Sequence, residues 1–74
     1  MIKVQFINDY ADMAGEEYIE YELTGEEAYI DMAGELYIDN KRVAKLILNN
    51  LAIQVWVVDT TGYEYYKVRF TEVA

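Results

Sequence analysis

The stretch EAYIDMAGELYID, Glu27 to Asp39, decides how this chain folds, because it is nearly a palindrome about Ala33. Outward from Met-Ala-Gly it sets Asp31 against Glu35, Tyr29 against Tyr37 and Glu27 against Asp39. An antiparallel hairpin turns that symmetry into geometry. Asp31 suits the first position of a type I turn, and Gly34 suits the left-handed position that closes a three-residue loop with a bulge. Side chains alternate along a strand, so the three facing pairs share one side of the hairpin. Ala28, Ile30, Met32, Leu36 and Ile38 take the other side and supply a core. A helix competes for residues 10–39. Thr24 to Glu27 has the form of a capping box, and Ala, Met, Glu and Leu favour helix. Gly15 and Gly34 would each cost about 1 kcal/mol in mid-helix, whereas tyrosine and isoleucine favour strand, so the hairpin is the preferred reading.

The unit occurs twice. YADMAGEEY (10–18) matches YIDMAGELY (29–37) at seven of nine positions, which predicts a second Asp-Met-Ala-Gly hairpin. The opening IKVQFI alternates as a strand, and Asn8 with Asp9 should break or bulge it, since Ile2, Val4 and Phe6 are out of phase with Tyr10 and Asp12. Asn40 is read as the cap of a short helix near residues 41–50. There Val43, Ile47 and Leu51 share a face, Lys41, Arg42 and Lys45 stay in water, and Asn49 and Asn50 end it. AIQVWVV and YEYYKVRFTEV are strands joined by the turn DTTG, with Ile53, Val55 and Val57 on one face and Tyr66, Val68 and Phe70 on another. The expected fold class is α+β: a mainly antiparallel β meander of about six strands, with two Asp-Met-Ala-Gly hairpins and one short helix near 41–50. All of it belongs to a single small acidic domain, residues 1–74.

Composition narrows the chemistry. At 74 residues the chain is near the lower limit for one independent core, and its 54% apolar content excludes global disorder. Histidine, cysteine and serine are absent, which removes imidazole bases, thiol and serine nucleophiles, disulfides and the usual zinc ligands. The four glycines stand singly, so no phosphate-cradling loop is present. Open-sheet carboxylates offer no water-excluding cleft, and an enzyme is not expected. Facing carboxylates such as Asp31 and Glu35 leave a cation such as calcium open, but the EF-hand spacing is missing, and no cofactor or dedicated metal site is expected. Neither a signal peptide nor a run long enough to span a membrane is found, so a soluble cytoplasmic protein is expected.

Charge is the strongest signal. From Asn8 to Asp39 there are eleven acids and no base, while the rest holds six bases and three acids, for a net charge of −8. In the strand reading one face collects Glu16, Tyr18, Glu20, Glu22, Glu27, Tyr29, Asp31, Glu35, Tyr37 and Asp39 as a candidate partner-binding surface. Carboxylates two apart on a strand lie about 6.6 Å apart, in rows about 4.8 Å from the next strand. That lattice approaches the charge density of a nucleic-acid backbone, which carries one phosphate per roughly 3.4 Å of axis per strand. Tyrosine supports a sheet by itself, but facing acids destabilise one. Direct nucleic-acid binding is not expected, because the acidic field repels phosphate. In composition the chain resembles the small acidic proteins by which phages and mobile elements block nucleic-acid-binding enzymes such as restriction systems and CRISPR effectors. The resemblance implies a non-enzymatic inhibitor that mimics nucleic acid and occupies a basic site on a partner protein, and it carries no residues over. The alternative is a small structural or assembly module, in which a homodimer forms through a sheet edge or around Trp56 and acidity serves solubility.

Overall fold

The computed structural model describes residues 1–8, 17–48 and 53–73. These residues form seven strands: β1 (Ile2–Asn8), β2 (Tyr18–Gly25), β3 (Ala28–Ile30), β4 (Glu35–Ile38), β5 (Lys41–Leu48), β6 (Ile53–Val57) and β7 (Glu64–Glu72). They lie in one sheet in the order β2-β1-β7-β6-β5-β4-β3, and every neighbouring pair is antiparallel. Six antiparallel steps separate β2 from β3 along that order, so these two edge strands run the same way. The chain passes from one to the other as a single long strand bent at Gly25, Glu26 and Glu27. The sheet therefore curls until its two edges are neighbours in sequence.

Local chemistry fixes that corner. Asp39 Oδ1 accepts from the backbone N–H of Glu26 at 3.0 Å and of Glu27 at 3.1 Å, and Asp39 N donates to the Glu27 carbonyl at 3.0 Å. A Cβ at Gly25 would press into Ile38 Cγ2 and stand 2.7 Å from Asp39 Oδ2, so a larger residue there would displace those side chains. Two bulges add the twist that curling needs. One leaves Glu20 as the extra residue of β2, where Phe6 faces Tyr21 but Ile7 faces Ile19. The other leaves Val43 as the extra residue of β5, where Leu36 faces Ala44 but Tyr37 faces Arg42.

The inner side of the curl is the core. Val4, Phe6, Leu36, Ile38, Ala44, Leu46, Val55, Val57 and Tyr66 form one buried cluster, against which Tyr21, Leu23, Ala28, Val43, Ile53 and Val68 pack. Phe6, Tyr21 and Tyr66 meet as three rings, with centroids 6.4, 5.9 and 6.3 Å apart. Aromatic pairs at such distances add to the area they bury.

Several expectations are corrected. The fold is all-β, not α+β: there is no helix among the described residues, and 41–48 is strand β5. The cause is the turn before it. Asp39 and Asn40 both take left-handed backbone angles, φ 52° and 64°, and so form a two-residue hairpin loop of the kind whose twist matches the flanking strands. Asn40 is a turn residue here and not a helix cap. Ala44 and Leu46 then point inward and Ile47 outward, so the four-residue spacing of Val43 and Ile47 was misleading because Val43 sits in a bulge. The described residues alone form seven strands rather than about six. The hairpin about Ala33 forms in the expected register, whereas the turn of the earlier repeat and Asn49 to Ala52 lie outside the described residues. Met32 is fully exposed and Ile30 half-exposed, so neither joins the core. Tyr66, Val68 and Phe70 share the inner side with Ile53 and Val55 instead of lining a separate face.

Candidate binding surface

The β3–β4 hairpin builds its surface from the turn outward. Asp31 Oδ1 accepts from Ala33 N and Glu35 N, each at 2.9 Å, and Gly34 N donates to the Asp31 carbonyl at 3.1 Å. Gly34 holds φ 82°, the conformation the palindrome requires of it. The closed turn sets Tyr29 directly opposite Tyr37, and their rings stack at 4.9 Å with 10° between planes. Beside them Glu35 accepts from the Tyr37 hydroxyl at 3.2 Å and from Arg42 Nη1 at 3.0 Å. Loss of solvation raises the Tyr37 hydroxyl pKa, and the hydrogen bond and charge of Glu35 raise it further, with Asp31 and Tyr29 adding to the effect. Tyr29, Asp31, Glu35 and Tyr37 are thus one electrostatic group on the outer side of the sheet.

That group continues into residues the sequence reading left out. Arg42, opposite Tyr37, lies over the Trp56 ring at 5.6 Å, and Lys45 stands between Glu35 and Trp56 in the registers of β4 and β6. Trp56 Nε1 donates to the Thr60 carbonyl at 3.1 Å, which fixes the indole against the β6–β7 connection. A hairpin reading of Asp39 and Asn40 would have placed Arg42 here. The helix reading hid it.

The other predicted residues are dispersed. Asp39 is held in the corner described above, with Glu27 exposed beside it. Glu22 lies on the outer side of β2 and accepts from Gln5 Nε2 at 2.9 Å. Glu20, in the bulge, turns to the inner side, where it lines the same cavity as Tyr66. Burial raises the Tyr66 pKa strongly, with Glu20 adding to it. Tyr18 pairs with Asn8 at the far end of β2. Glu16 lies outside the described residues. β2 and the β3–β4 hairpin occupy opposite ends of the strand order, so the ten residues do not form one continuous lattice.

The bases matter as much. By register Lys3, Arg42, Lys45, Lys67 and Arg69 share the outer side, where they answer some of the acids. Glu17 bonds Arg69 and lies 3.8 Å from Lys67; the Arg69 hydrogen bond, with the charges of both bases, holds its carboxyl below the usual range. Exposed acids that form no ion pair among the described residues include Glu26 and Glu27 at the corner. At the facing pair of Asp31 and Glu35, the Asp31 carboxylate closes the turn and the Glu35 carboxylate binds Arg42. Among the described residues no three acidic side chains converge as a metal site would need, and no helix is long and apolar enough to cross a membrane. Compared with protein-family models, with curated proteins and with solved structures, the chain matches none of them.

Proposed function

We propose that this protein is a non-enzymatic acidic binding protein that occupies a basic, nucleic-acid-binding site on a partner protein. The observation that carries the reading is the exposed Tyr29–Tyr37 stack, flanked by Asp31 and Glu35 and followed at the corner by Glu26 and Glu27. Rigid aromatic side chains near the Glu26 and Glu27 carboxylates, which form no ion pair among the described residues, suit a surface rich in arginine, because guanidinium groups both stack on rings and bond carboxylates. A net charge of −8 draws such a partner in from a distance. Compared with the sequence reading, the surface is smaller. It centres on the β3–β4 hairpin and the β2–β3 corner, because Arg42, Lys45, Lys67 and Arg69 occupy the middle of the outer side.

The test is competition. The protein, immobilised, is used to capture basic proteins from host lysate, and a nucleic acid is then titrated against each complex. The reading expects release by nucleic acid and loss of capture with Tyr29→Ala, once its melting temperature has been checked. A complex that nucleic acid leaves intact would remove the mimicry.

A second reading, a structural module that assembles as a homodimer, is favoured by one feature. Among the described residues β2 and β3 are the edges of the sheet, and Ile30 and Met32 stand exposed beside the β3 edge. Sedimentation at increasing concentration separates the two: a dimer that Ile30→Lys dissociates supports the module.

A further inference from the structure

The bulge in β2 turns Glu20 away from the outer side and into a cavity of about 180 Å³ at the mouth of the curled sheet. Tyr21, Val55 and Tyr66 line its depth, and Glu20, Glu64 and Thr60 line its edge, together with the rest of the β6–β7 connection. Among the described residues no lysine or arginine lines it. Tyr66 is 6% exposed, and it lines the cavity together with Glu20. A carboxylate has room for about four hydrogen bonds, so Glu20 has acceptor capacity to offer a ligand. Glu64 lies close enough for its charge to bear on the Tyr66 hydroxyl. Two carboxylates with no counter-ion among the described residues border a hollow whose mainly polar lining also takes in Tyr21, Val55, Val57 and Tyr66. Bulges often re-aim a side chain at functional sites, and mouths of barrel-like sheets are common ligand positions.

We propose that this cavity binds a small organic cation, an ammonium or guanidinium group on an alkyl stem, with the head between Glu20 and Glu64 and the stem against Tyr21 and Tyr66. Aromatic rings attract a cation, and the apolar part of the lining, Tyr21, Val55, Val57 and Tyr66, suits a stem. A bare metal ion is a poorer match, because hard cations need six or more converging oxygens and no three acidic side chains converge among the described residues. The cavity is on the inner side of the sheet and the Tyr29–Tyr37 stack on the outer side, so this site stands or falls apart from the partner reading.

Titration calorimetry with agmatine and with capped arginine amide tests it on the full chain, with a neutral alkyl alcohol as control. The cations should bind and the alcohol should not. Glu20→Gln and Glu64→Gln should each weaken binding about tenfold or more, the usual loss of a hydrogen bond to a charged group. Glu72→Gln, which removes the same charge elsewhere, should leave it unchanged. Agmatine binding alone would identify a free amine as the ligand; capped-arginine binding alone would identify a side chain on a peptide. Absence of binding by both, or an equal response of all three variants, overturns the proposal. Should Glu20→Gln disturb the bulge, Glu64→Gln still decides it.

Discussion

Asp31 and Asp39 show how the repeated acid is used at the level of single residues. Each spends its carboxylate on backbone N–H groups, Asp31 on its own turn and Asp39 on Glu26 and Glu27 across the corner. Removing the Asp39 carboxylate leaves two donors without their acceptor. Asp39→Ala should cost about 1–3 kcal/mol in chemical unfolding, more than an ordinary surface change. Tyrosine gives a pH signature. Tyr37 and Tyr66 both have folded-state pKa values above that of a free tyrosine. A raised folded-state pKa contributes stability that is fully present below the unfolded value, about 10, and is lost as pH rises through the folded one. Melting temperature should therefore fall as the solution is taken above about pH 10, and fall less steeply in Tyr66→Phe. An unchanged slope in that variant would mean that Tyr66 is not the buried hydroxyl described.

At the scale of elements, the β3–β4 hairpin was legible because everything that fixes it is local. A palindrome, an Asp at the turn start and a Gly at φ 82° lie within a few residues of one another. β5 was not legible for an equally local reason. Asp-Asn is a weaker hairpin signal than Asn-Gly, and the bulge at Val43 shifts the alternation towards a helix-like spacing. The corner was hidden because Gly25 and Glu26 are governed by Asp39, more than a dozen residues away. Asn40→Gly tests the turn directly. At φ 64° glycine fits at least as well as asparagine, so the variant should unfold at equal or higher denaturant, by up to about 1 kcal/mol. A clear destabilisation would mean that the Asn40 side chain, and not only its left-handed backbone, holds the turn.

At the scale of the molecule, one bent strand lets a meander close on itself, with the first and last strands paired and the edges meeting at the corner. Closure gathers the core inside and sorts the charge outside. The candidate face was legible only in part: the sequence marked Tyr29, Asp31, Glu35 and Tyr37 correctly as neighbours, but it could not see that Glu20 turns inward or that five bases share the outer side. Binding then depends on the hairpin and the corner rather than on a uniform acidic lattice. The most direct measurement is the affinity of a captured basic partner for the parent and for Glu26→Lys with Glu27→Lys, across a range of salt. The account predicts steep weakening of the parent with salt, a loss of about tenfold or more at low salt in the double variant, and an unchanged melting temperature. Parental affinity in the double variant, at every salt concentration, would contradict it.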